Sequence, residues 1–174
     1  NIDISNIIVS DKHKTGVAGI HVDRNTGKNA IIVIRGAPAS LITKEFYNNI
    51  DFFTPNETEA EFYTGIKIND ENDAKASAKK LINMGIKKVI ITLGEKGLFY
   101  LDSKEEIYMK ASPVKAIDTT GAGDAFNGGF SYALLKGKKI KECLEIANKV
   151  AGLSTTKLGA GDSMPTFKDI NLKV

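Results

Sequence analysis

Val114-Lys115-Ala116-Ile117-Asp118-Thr119-Thr120-Gly121-Ala122-Gly123-Asp124 is the stretch from which the fold can be read. Val114 to Ile117 predicts a short strand. A turn with two glycines follows, and an apolar-periodic segment from near Gly123 to Leu135, stopped by Gly137, predicts a helix. Strand, tight turn and helix in that order are the unit of a layered α/β fold. The first turn of a helix presents unpaired N–H groups and a partial positive charge, so anions bind there. Gly121 and Gly123 let the backbone turn sharply and approach such an anion closely. The three equatorial oxygens of a transferring phosphoryl group suit a ring of N–H donors. A carboxylate at Asp124 can accept the proton of an attacking hydroxyl. The stretch is neither a Walker loop, which needs G-K-[S/T], nor a G-x-G-x-x-G fingerprint. Its residues alone give an anion site, or equally a glycine-rich turn with a helix-capping Asp.

Outward from it, the pattern alternates. Leu41 to Asn48 predicts a short helix and Ile50 to Phe53 a strand. Thr54-Pro55-Asn56 opens a helix to about Tyr63, which stops at Gly65. Asp70 to Met84 is the clearest amphipathic helix, with Ala74, Ala78, Leu81 and Ile82 on one face, a cap at Asn69 or Asp70 and a stop at Gly85. Lys88 to Leu93 is a nearly continuous apolar run, the mark of a strand covered on both faces, as in a parallel sheet. Leu98 to Leu101 and Glu106 to Lys110 predict two more strands. Ile140 to about Leu153 predicts the last helix, with Ile140, Leu144, Ala147 and Ala151 on one face. Val17 to Val22 and Ala30 to Ile34, with Arg24-Asn25-Thr26-Gly27 between them, predict a hairpin outside the alternation, a candidate lid.

The 174 residues suffice for one core, and 42% hydrophobic with 26% charged residues is ordinary for a globular chain. A dispersed net charge of +3 gives no nucleic-acid footprint but favours an anionic ligand. The single cysteine, Cys143, cannot form an internal disulfide, in keeping with a cytoplasmic location. No apolar run approaches membrane-spanning length. His13 and His21 are isolated and define no metal cluster.

V-K-A-I-D-T-T-G-A-G-D-A-F-N-G-G-F, from Val114 to Phe130, resembles the C-terminal signature of the ribokinase-like (phosphofructokinase-B type) carbohydrate kinases. T-P-N-E-T-E-A-E (Thr54 to Glu61), Ile90-Ile91-Thr92-Leu93-Gly94 with Lys96-Gly97, and G-A-x-x-S-x-P (Gly159 to Pro165) agree with the family in order and spacing. The resemblance implies a three-layer α/β sandwich with a mostly parallel central sheet and a small β lid, residues 1–37 forming the lid region and 38–174 the nucleotide-binding and catalytic part. It implies ATP-dependent transfer of the γ-phosphoryl group to the primary hydroxyl of a sugar, D-ribose by preference, giving ribose 5-phosphate. The alternatives are another sugar or nucleoside in the same family, or a nucleotide-binding piece without catalysis. Asp124 resembles the general base that meets the sugar hydroxyl, and Gly121, Ala122 and Gly123 the anion hole. Asn56 and Glu59 resemble the pair that organises Mg²⁺ and phosphate through water; as residues alone they read first as a helix N-cap with its capping-box partner. Thr92 and Gly94 resemble ATP contacts, or a plain strand exit. Asn148 resembles the residue beside the adenine, or a polar helix position. A monovalent-cation site for K⁺ would take Asp118 and Ser163 by side chain, with Thr120, Ser154, Lys157 and Gly159 by carbonyl; the plainer alternatives are a capping Asp118 and a loop hydroxyl at Ser163. The family's lid strands pair between subunits, so the resemblance also implies a homodimer.

Two departures accompany the match. The family's opening section, with a Gly-Gly sugar motif and an Asp that grips sugar hydroxyls, has no counterpart here. Ala37 resembles the end of the lid while Pro38 resembles a much later point, so a strand–helix–strand passage is expected to be missing between them. The expectation is therefore a partial listing of a longer kinase.

Overall fold

A computed structural model describes residues 17–22, 29–34, 47, 48 and 50–170. The predicted hairpin is there: β1 (Val17–Val22) pairs antiparallel with β2 (Asn29–Ile34), Val17 opposite Ile34. Its turn residues, most of the predicted helix from Leu41 to Asn48, and the Ala37-Pro38 junction lie outside the described residues.

The helix α1 (Glu57–Thr64) is capped by Asn56 and closed by Gly65 in the left-handed region, whose N–H donates to Glu61 O. The helix α2 (Glu71–Asn83) starts at Asp70, whose carboxylate accepts the Asp73 N–H. Then come β3 (Val89–Thr92), a 3₁₀ turn (Gly94–Lys96), β4 (Leu98–Leu101) and β5 (Glu106–Met109). The helices α3 (Ala122–Leu135) and α4 (Ile140–Ser154) complete the described chain.

Successive side chains of a strand point to opposite faces, and here both faces are covered. Val89, Ile91 and Phe99 join Ala60, Ala74, Ala78 and Leu81 in one apolar cluster, under α1 and α2. Ile90, Leu98 and Tyr100 join Phe126, Phe130, Leu144 and Ala147 in another, under α3 and α4. The result is the expected three-layer α/β arrangement, and it explains why the β3 run is apolar without a break. Cys143 is buried in the second cluster and is a free thiol.

Two details of the expected sheet differ. β3, β4 and β5 pair antiparallel. Among the described residues, parallel pairing is confined to the other edge of β3, where Phe53 bridges Val89 and Asn56 bridges Thr92. There Phe53 N donates to Lys88 O (2.9 Å), Ile90 N to Phe53 O (2.8 Å) and Thr92 N to Pro55 O (3.0 Å). The predicted strand over Ile50 to Phe53 is thus a bridged segment rather than a full strand. Pro55 has no N–H to continue the ladder, and Asn56 already serves α1.

The predicted strand from Val114 to Ile117 is not a strand either. Its anchor is the end of a helix instead of a sheet edge: the N–H groups of Ile117 and Asp118 both donate to Thr155 O, at 2.7 and 3.0 Å. Pro113 precedes it without a donor, and Val114 and Ile117 remain exposed. β-branched residues favour a pleated, half-buried surface, and none is offered to them here.

Candidate active site

A cleft of about 580 Å³ opens where the layers meet, at the C-terminal end of β3. Asn56 comes to it from the start of α1, Thr92 and Gly94 from the end of β3, Ala122 and Gly123 from the start of α3, and Asn148 from α4. Six residues singled out from sequence thus converge on one space. Open α/β sheets bind ligands at this end of their strands.

The turn that starts α3 is built by a left-handed glycine. Gly121 has φ 79° and is the N-cap of α3. A Cβ there would lie 3.2 Å from Ala160 Cβ and 3.3 Å from Met164 Cε, so both the turn and its packing exclude a side chain. Ala122 N donates to Thr119 O and Ala125 N to Gly121 O. Between them, the N–H groups of Gly123 and Asp124 have no helical carbonyl behind them. Gly123 is exposed on the cleft wall, and a Cβ there would meet nothing within 4 Å. Open space above first-turn N–H groups is what an incoming phosphate requires. Asp124 is exposed in the same first turn, one residue beyond the cleft lining.

At the start of α1, Asn56, which lines the cleft, and Glu59, which does not, form a reciprocal capping box. Glu59 N donates to Asn56 Oδ1 and Asn56 N to Glu59 Oε2, each at 2.9 Å. The capping role is therefore real. It leaves the Asn56 amide nitrogen at the cleft, where Glu57 also lines the wall, while Glu59, its second carboxylate oxygen free of the cap, is exposed outside the lining. Among the described residues no three His, Cys, Asp or Glu side chains cluster to hold a metal ion. One exposed carboxylate suits a hydrated Mg²⁺ held through water, since that ion dehydrates reluctantly.

The residues proposed for a monovalent cation lie behind the anion-hole turn. Asp118 is buried; its Oδ1 accepts Thr120 N and its Oδ2 accepts Gly159 N, both at 2.9 Å. These bonds, Gly159 foremost and then Thr120, hold its carboxyl below the usual carboxylate range. Among the described residues no basic side chain pairs with it. Thr120 Oγ1 is buried; it interacts with the Asp118 carboxylate but makes no hydrogen bond of good geometry. A buried carboxylate without a counter-ion, beside a buried hydroxyl, fits a hard cation. Ser163 is buried and its hydroxyl donates to Ala160 O (3.2 Å), while that of Ser154 donates to Ala151 O (2.8 Å). Lys157 is exposed.

Reasoning from sequence missed the remaining wall. Ala111, Ser112, Pro113, Val114 and Ala116 line the cleft beside Ala151, Gly152 and Thr155 of the α4 region. A run after β5 with a proline and no exact period was the available signal, and the predicted strand obscured it.

A model described as pfkB family carbohydrate kinase matches residues 38–167. The chain is similar to the ribokinase of Haemophilus influenzae, 41% identical over 158 residues, covering 90% of this chain and 52% of that protein. It is 36% identical over 141 residues to the deoxyribokinase of Salmonella typhi, covering 80% of this chain and 46% of that one. Among solved structures, Arabidopsis thaliana ribokinase complexed with ribose and ATP superposes with a TM-score of 0.76 at 26% identity, over 91% of this chain and 69% of that one. The chain spans about half the length of the curated relatives it matches.

Proposed function

The chain belongs to the pfkB family of carbohydrate kinases, and from that membership we propose that it carries out ATP-dependent phosphoryl transfer to the primary hydroxyl of a sugar, D-ribose by preference. The observation that carries this is the single cleft joining the Ala122-Gly123 turn to Asn56, Thr92, Gly94 and Asn148. A ribokinase seen with ribose and ATP shares the fold, and ribokinase is also the name of a relative 41% identical.

In the proposed reaction the sugar hydroxyl oxygen attacks the γ-phosphorus as the bond to ADP breaks. The hydroxyl proton passes to Asp124, and the charge on the three equatorial oxygens is met by the N–H groups at the start of α3. Asn56 and Glu59 would hold Mg²⁺ through water, and Asp118 with Thr120, Ser154, Lys157, Gly159 and Ser163 would hold K⁺. When bound, these cations neutralise phosphate charge and steady the anion hole. The β1–β2 hairpin would act as a lid pairing two subunits, and the cytoplasm is the matching location.

A coupled assay of ADP release tests this with D-ribose, 2-deoxy-D-ribose, D-fructose and adenosine, with and without K⁺. The expected outcome is sugar-dependent release, highest in kcat/KM with D-ribose and stimulated by K⁺. The deoxyribokinase relative makes 2-deoxy-D-ribose the sharpest competitor. ATP binding without sugar-dependent release on any acceptor would identify a nucleotide-binding module instead.

A further inference from the structure

The wall missed from sequence, residues 110–118, is held to α4 at three points. Asn148 Nδ2 donates to Lys110 O at 2.7 Å. A Cβ placed on Gly152 would lie 3.3 Å from Ser112 Cβ and 3.6 Å from Val114 Cγ1, so the helix backbone itself meets the wall there. Thr155 O, at the helix end, accepts the N–H groups of Ile117 and Asp118. Positions 148, 152 and 155 are i, i+4 and i+7, one stripe of a helix. Near the first of these points, the Gly97 backbone lies against the same segment. A Cβ there would lie 1.9 Å from Met109 O and 2.7 Å from Ala111 N. The Lys110 backbone is therefore held by both Gly97 and the Asn148 side chain. The lining that this arrangement sets is largely apolar: Leu98, Ala111, Pro113, Val114, Phe126 and Ala151.

We propose that Asn148 is a positioning residue: it fixes the 110–118 wall, and so the width of the nucleotide slot, and does not read the base. Lys110 O only accepts, so the amide nitrogen of Asn148 must face it. That bond takes one of the amide's two N–H groups and fixes the side chain against the wall, and the slot surface around it is mostly apolar. A slot gripped by apolar surface takes any purine of the right thickness. Losing Asn148 then weakens every nucleoside triphosphate by the same factor.

This inference rests on the cleft taking a nucleoside triphosphate, as proposed above, and its test separates the two. KM or Kd is measured for ATP and for inosine triphosphate, whose purine carries a carbonyl in place of the amine. Hydrogen exchange is followed in peptides covering 111–117 without nucleotide. The variants are Asn148→Ala, Asn148→His, which keeps an N–H at similar reach, and Gly152→Ala, which pushes the wall. Asn148→Ala should weaken both nucleotides about fivefold, as loss of one hydrogen bond does, with their ratio unchanged and faster exchange in 111–117. Asn148→His should restore both readouts towards the original protein. Gly152→Ala should weaken both nucleotides with the ratio again unchanged. A severalfold change in the ratio in Asn148→Ala overturns the proposal, as does unchanged exchange. If the unaltered protein binds neither nucleotide, the kinase reading fails, and the exchange result alone decides whether Asn148 holds the wall.

Discussion

Asp124 and Gly123 stand side by side at the start of α3, yet they do different work. Gly123 has empty space over its Cα, whereas Asp124 reaches out from the same turn into solvent. On the proposed mechanism the carboxylate is needed only once a hydroxyl has lost its proton, and it takes no part in holding ATP. Asp124→Asn should therefore lower kcat by about 10²- to 10⁴-fold, the usual range for a lost general base, with KM for ATP nearly unchanged. Sugar-dependent ADP release under saturating ATP measures it; turnover equal to that of the unaltered protein would remove Asp124 from the mechanism. Gly121, two residues earlier, is a different kind of glycine. Its positive φ and its contact with Ala160 and Met164 make it part of the packing. Both glycines could be picked out in sequence, but not which one faced the cleft. That depended on the 160–164 loop folding back on Gly121, a contact nearly forty residues away.

The first turn of α1 meets two demands with one pair of side chains. The capping box uses Asn56 Oδ1 and Glu59 Oε2, and the cleft uses whatever Asn56 has left. Asp caps a helix as well as Asn does, but it would set a carboxylate facing a triphosphate. Asn56→Asp should therefore leave the thermal midpoint close to its original value while raising KM for ATP severalfold or more. Asn56→Ala serves as the control, costing about 1 kcal/mol of stability through the lost cap. If Asn56→Asp left both the midpoint and KM unchanged, Asn56 would be a cap and nothing more. At this scale the sequence was legible wherever local chemistry decides. Asn56, Gly65, Asp70 and Gly137 marked helix ends because caps and left-handed glycines act within a few residues. It was not legible at Ile50 to Phe53 or at Val114 to Ile117. Both runs have strand-like residues, but whether they pair is set by what lies beside them: Pro55 interrupts one, and the end of α4 takes the N–H groups of the other.

The layers of the whole molecule are joined through a very thin element. Ile90 and Ile91 are adjacent in β3 and both fully buried, yet Ile90 packs with Phe126, Phe130 and Leu144 and Ile91 with Ala78, Leu81 and Phe99. The doubly apolar run in sequence revealed this burial on both faces. It could not reveal that β4 and β5 would be antiparallel neighbours, because burial on both faces says nothing of strand direction. If the two clusters are separate bodies of packing, removing one methylene from each should act independently, although the residues are chemically bonded neighbours. Ile90→Val and Ile91→Val should each cost about 0.5–1.5 kcal/mol. The double variant should then show their sum to within about 0.5 kcal/mol, as distant sites do. Urea unfolding of the four proteins gives the cycle. A coupling above about 1 kcal/mol would mean that the strand transmits strain between layers. The cleft is the place where such strain would matter, because α1 supplies one of its walls from the first layer, and α3 and α4 line it from the second.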